Sequence, residues 1–186
     1  MCLFEERGYG ETTVADISAA AEIARATFFL HFPTKSALLL ELSRALAAEW
    51  AEHCSGVAEF PIVETLQKLQ AFIISRDVAP QVASPLLDEF RRDYGEDHAL
   101  LTAPDTMLGE VIRLVNEGQR RREMNRDIPA RELALHFHRI TSAYVLDAKG
   151  SIKQRTKRAW LLFAHGVIER LPQGPPKHPR RAVGQS

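Results

Sequence analysis

Between Thr12 and Lys35 the chain sets short, polar and cationic side chains at spacings that suit hydrogen bonding to an anionic duplex rather than bond making. Arg25 is the one residue of its stretch able to offer the paired donors that match guanine O6 and N7. Ala24 and Ala26 flank it and are short enough for a helix start to approach base edges closely. Thr27 offers a hydroxyl to a phosphate or to its own helix, and Thr13 offers an N–H and a hydroxyl at a helix start. His31 can donate to a phosphate or pack a corner, and Lys35 can pair with a phosphate. Catalytic patterns are missing: there is no Ser/His/Asp set, no framed pair of carboxylates and no glycine-rich phosphate loop. His136 and His138 stand two apart, about 200° around a helix, so they cannot share a metal from one face. His53 and Cys54 are adjacent, also a poor chelate. The expectation is a protein that is not an enzyme and uses neither cofactor nor metal.

The elements that must hold these residues follow from the pattern around them. Thr13 is placed to N-cap a helix, with Asp16 at capping-box spacing. Val14, Ile17 and Ala20 or Ala21 then recur on one helical face. Glu22 and Ile23 make a corner, and Ala24 to His31 form a second helix with Phe28 and Phe32 on its buried side. Pro33 stops it, because a proline biases the preceding residue away from helical angles. Thr34 caps a long helix running from Lys35 to about Ser55. Two short helices joined by a tight turn outline a DNA-binding helix-turn-helix.

The residues Phe4, Gly8, Tyr9, Thr12, Thr13, Val14, Ile17, Ala20, Ala21, Thr27, Phe28, His31, Phe32, Lys35 and Leu38 together resemble the N-terminal signature of tetracycline-repressor (TetR) family regulators. The resemblance implies an all-α protein. It divides the chain into a DNA-binding head over residues 1–45, a ligand-binding and dimerising body over 46–171, and a tail over 172–186. Lys35 and His31 then match the family's phosphate-binding lysine and its histidine. Phe29 stands where the family usually has a tyrosine, and so lacks a hydroxyl for phosphate. Glu22 stands at the corner position where glycine is common, which places an acid near DNA and strains the turn. The family's first helix is some two turns longer and often follows a basic arm, so a helix beginning at Met1 is expected to brace the head less well.

The remainder reads as amphipathic helices. Leu38, Leu42, Leu46 and Trp50 form one stripe, and Ile62, Leu66, Leu69, Phe72 and Ile73 form the next within Pro61–Val78. Pro80 and Pro85 bracket an expected break before a short helix from Leu86 to Tyr94. Asp97 or Thr106 caps a helix whose inward stripe is Met107, Val111, Leu114 and Val115, and which ends in the basic turn Gln119 to Arg122. Two last helices, Ala130–Ala148 and Ile152–Leu171, carry more apolar faces than one small body needs, as a homodimer would require. A ligand cavity between these helices would draw on Trp50, Phe72, Phe90, Met107 and Tyr144. From Pro172 onward, prolines and charges without periodicity read as a disordered tail.

Composition sets the remaining bounds. The 186 residues are 45% hydrophobic and 26% charged, ordinary for a globular protein, and no run approaches the ~18 apolar residues of a membrane helix. With no signal peptide at Met1 and only Cys2 and Cys54 as thiols, a cytoplasmic protein with free cysteines is expected. Net charge is zero, but four basic residues face seven acidic ones in the first 50, a balance of −3. Bulk electrostatic attraction to phosphates therefore cannot carry DNA binding; a few placed contacts, doubled by dimerisation, can. The reading is a TetR-like repressor that binds a palindromic operator as a dimer and is released by a small apolar or amphipathic ligand. The alternative is a dimeric ligand-binding or interaction module whose degraded head no longer binds DNA.

Overall fold

The computed structural model describes residues 2–54, 60–76, 80–95, 99–146 and 150–167. Its elements are α1 (Cys2–Arg7), α2 (Val14–Ala20), α3 (Arg25–His31), a 3-10 turn (Lys35–Ala37) running into α4 (Leu38–Cys54), α5 (Ile62–Ser75), α6 (Pro80–Tyr94), a second 3-10 turn (Ala99–Thr102), α7 (Met107–Arg120), α8 (Ala130–Leu146) and α9 (Ile152–Val167). No strand occurs among the described residues. The fold is all-α, with a helix-turn-helix at the N-terminal end and a helical body after it. The expected tail from Pro172, the Asp97 cap and Leu171 of the last stripe lie outside the described residues.

The head closes over a small core of its own. Gly8 ends α1 at φ +80°, the left-handed geometry that glycine adopts at no steric cost. That turn brings Tyr9 back against Phe4, with ring centroids 5.3 Å apart. Ile17 of α2 and Leu38 and Leu39 of α4 pack on this pair. The buried Thr12 hydroxyl donates to the Gly8 carbonyl at 2.7 Å, which fixes the approach to α2.

In the body, α7 is the central element. Met107, Val111, Leu114 and Val115 are buried, and the helix packs on α8, α5 and α4. Leu66, Leu69, Phe137 and Phe163 fill the layers around it as α5 and α8 close on α9. Each such side chain contributes about 1.5–3 kcal/mol by leaving water, against the entropy of ordering the chain. Thr106 caps α7, its hydroxyl accepting from the Gly109 N–H at 3.1 Å. Gly109 is required there, since a Cβ would fall 1.9 Å from the Ala103 carbonyl oxygen.

One expectation changes. Pro80 and Pro85 do not bracket a break: α6 runs unbroken from Pro80 to Tyr94 with Pro85 inside it. Pro80 sits at the first helical position, where its fixed φ suits a helix start, and Pro85 forfeits only the bond to the Gln81 carbonyl. The basic turn after α7 is partly neutralised, because Arg120 and Arg121 both pair with Glu117.

Candidate nucleic-acid interface

The corner between α2 and α3 positions everything that follows. Thr13 and Asp16 form a complete capping box: the Thr13 N–H donates to Asp16 Oδ2 at 2.8 Å and the Asp16 N–H donates to Thr13 Oγ1 at 3.2 Å. These bonds from Thr13, and more weakly Arg7, hold the Asp16 carboxyl below its ordinary pKa. At the other end of α2 the Ile23 N–H donates to the Ser18 carbonyl at 2.9 Å and the Glu22 N–H to the Ala19 carbonyl at 3.1 Å. That pair of bonds is a Schellman motif. Its left-handed position is Glu22, at φ +54°.

Leaving this corner, α3 is held by one anchor. Phe28 is 1% exposed and packs on Phe32 at 5.1 Å. Phe32 itself is extended, with φ −127° and ψ 103°, as the following Pro33 requires. With Phe28 turned inward, Arg25, Ala26, Phe29 and Leu30 face solvent. Arg25 makes no ion pair among the described residues; its guanidinium lies 5.7 Å from the centre of the Phe29 ring, one turn along the helix. Ala24 is the N-cap and, like His31, is exposed, while Thr27 is half-buried. Leu30 is 81% exposed, and sequence reasoning passed over it. The signal was present, since residue 30 lies about 200° from residue 28 on a helix.

Lys35 does something else as well. Its Nζ donates to the carbonyls of Tyr9 at 3.0 Å and Thr12 at 3.2 Å, and lies 3.9 Å from the Tyr9 ring centre. It therefore ties the α1–α2 connection to the start of α4. An ammonium has three donors, and these two carbonyls take two of them. Thr13, exposed, has its hydroxyl and N–H committed to Asp16.

A joint between head and body lies at the start of α4. The Ser36 hydroxyl donates to Asp93 of α6 at 2.5 Å, and Thr34 and Tyr94 hydroxyls lie 3.2 Å apart. Tyr9 faces the same helix: burial first, then the nearby carboxylate of Glu89, pushes its phenol well above the ordinary tyrosine pKa.

Between α4, α6, α7 and α8 lies a cavity of about 150 Å³. Phe90 and Met107 line it; Trp50, Phe72 and Tyr144 do not. Trp50 and Phe72 instead pack on each other and on His53, at 5.4 and 5.9 Å from the indole. The Tyr144 carbonyl accepts from Arg155. His138 lines the cavity and is held neutral: burial, then the charges of Arg91 and Arg139, lower its pKa to about 4.

Comparison with known proteins bears on the head first. Residues 1–42 match the family described as bacterial regulatory proteins, tetR family. Over those residues the head is similar to that of TetR-family regulators. The TetR match ends within α4, so it spans the helix-turn-helix and stops short of the cavity-lining body. Solved structures extend the likeness in fold. The fatty acid degradation regulator FadR from Bacillus halodurans is 17% identical, with a TM-score of 0.57 over 88% of this chain and 89% of that one. A protein described as a tetR family transcription regulator, from Shewanella sp. PV-4, is 23% identical, with a TM-score of 0.57 over 90% and 93%. No relative among curated proteins matches the chain. Among the described residues no helix is long and apolar enough to cross a membrane.

Proposed function

We propose that this TetR-type regulator works in the cytoplasm as a homodimeric repressor, its two α3 helices entering successive major grooves of a palindromic operator. The supporting observation is the outward face of α3, with Arg25, Ala26, Phe29 and Leu30 exposed beside the buried anchor Phe28. Arg25 is the guanine reader, and Ala26, Phe29 and Leu30 offer apolar contact to thymine methyl groups. The half-site would thus place a guanine beside thymines. Ala24 lets the helix start approach, while Thr27, His31 and the remaining donor of Lys35 supply phosphate contacts; Thr13, its donors held by Asp16, serves the corner instead. The partner subunit docks through the last two helices, where Leu161 and Leu162 of α9 are 46% and 57% exposed.

A small-molecule effector in the cavity antagonises DNA binding because two helices serve both sites. Leu38 and Leu39 of α4 pack in the head while Leu42 and Leu46 line the cavity. Asp93 of α6 holds Ser36 while Phe90 and Arg91 line the cavity. A ligand that shifts either helix changes the separation of the two heads, and the coupling is reciprocal.

The test is selection of bound fragments from the source genome, followed by affinity measurement at every single base-pair substitution. Arg25→Ala should lose about 1–3 kcal/mol of discrimination at one position in each half-site. Uniform loss at all positions, or no fragment selected, would favour the second reading: a ligand-binding module whose head no longer binds DNA. The acid at Glu22 and the missing hydroxyl at Phe29 speak for that reading.

A further inference from the structure

We propose that the cavity takes a small organic anion, a carboxylate of about benzoate size, with its apolar part among Leu42, Leu46, Val111 and Phe137 and its carboxylate against Arg91, His138 and Ser142. This rests on the reading of the body as an effector site. The walls are aliphatic and aromatic over most of their extent, and among the described residues no acidic side chain lines them. Polar groups come mainly from α8, with Arg91 from α6, while Ser43 of α4 accepts from the Met107 N–H. His138 and Ser142 stand four apart on α8, hence on one face, and both line the cavity. Both residues are half-buried, and neither side chain makes a hydrogen bond among the described residues, which leaves their polar atoms available to a ligand. Arg91 of α6 and Arg139 of α8 join the same lining. Arg91 has the Asp88 carboxylate at 3.5 Å, an exposed pair that leaves its charge weakly compensated.

Charge decides among ligand classes. Arg91 and Arg139 add to burial, the larger cause, in keeping the His138 imidazole uncharged. A cation placed beside Arg91 would be repelled, and a neutral ligand would gain nothing from its charge. A carboxylate would accept from the Ser142 hydroxyl and from the one N–H of neutral His138, and would pair with Arg91. Size decides the rest: a cavity of about 150 Å³ holds one benzene-sized ring, with the carboxylate reaching Arg91 and Ser142.

Calorimetric titration of the full chain with benzoate, benzamide, benzamidine and toluene tests this. Benzoate should bind at least about tenfold more tightly than the other three, and Arg91→Ala and Ser142→Ala should each weaken benzoate about tenfold. Toluene affinity should stay unchanged in both variants, which reports that the cavity is still formed. Toluene, benzamide or benzamidine binding as tightly as benzoate would overturn the anion while leaving an effector cavity in place. Benzoate binding that ignores both substitutions would overturn the placement of its carboxylate. Failure of all four probes to bind would overturn the anion and the effector cavity together.

Discussion

Glu22 is held at φ +54° in the Schellman turn that aims α3 outward, a conformation costing a residue with a Cβ about 1–2 kcal/mol. Glycine would remove that strain but gives the unfolded chain about 0.5–1 kcal/mol more entropy to lose. The difference favours the substitution, so Glu22→Gly should stabilise the protein by up to about 1 kcal/mol in urea unfolding. A lowered midpoint would mean that the turn carries no strain at this residue. Lys35 gives a second prediction. Because its ammonium donates to the Tyr9 and Thr12 carbonyls, Lys35→Ala should cost about 1–3 kcal/mol of stability in the absence of any DNA. An unchanged unfolding midpoint would assign the lysine to phosphate contact alone. The Arg25 and Leu30 side chains make no such backbone bonds among the described residues; Arg25 lies over the Phe29 ring.

Among the elements, α4 and α6 carry the link between head and body. The stripe of Leu38, Leu42, Leu46 and Trp50 looks uniform in sequence, yet it serves three environments: the head core, the cavity and the body core. For α6 the link includes the Ser36–Asp93 hydrogen bond and the Thr34–Tyr94 hydroxyl pair. Asp93→Ala should therefore loosen the head alone. Amide hydrogen exchange should quicken in α2 and α3 while α7 keeps its protection. Equal acceleration in α7 would show that the joint supports the whole body rather than the head. The capping box of α2 was legible from Thr13 and Asp16 alone, since its bonds span three residues. The continuity of α6 was not: the proline rule weighs Pro85 by its lost bond, and the packing of α6 on α8 and on the 3-10 turn outweighs it.

For the whole molecule, the proposed dimer is the feature on which operator spacing depends. Leu161 and Leu162 stay exposed on α9 although Phe163 beside them is fully buried, so this helix presents apolar side chains in two directions. Substituting both, Leu161→Asp with Leu162→Asp, should give a monomer in sedimentation equilibrium with its helical content intact. Operator affinity should then fall about a hundredfold or more, because each head would act alone. A dimer that survives the pair of substitutions would move the interface elsewhere.

The sequence by itself determined whatever depends on neighbours a few residues apart: the helices, the caps at Thr13, Thr34 and Thr106, the inward turn of Phe28 and the helix-turn-helix outline. The residues matching the TetR signature are of the same kind, because that head is short and locally specified. Only the tertiary structure decided which side chains from distant helices meet. It drew Phe90 and Met107 to the cavity but left Trp50 and Phe72 in the core, and it brought Arg91 beside His138 and Ser142. It also turned Lys35 inward onto carbonyls 23 and 26 residues away. Helical periodicity says which face of a helix is apolar. It does not say what that face will touch, because the partner is set by how the helices pack.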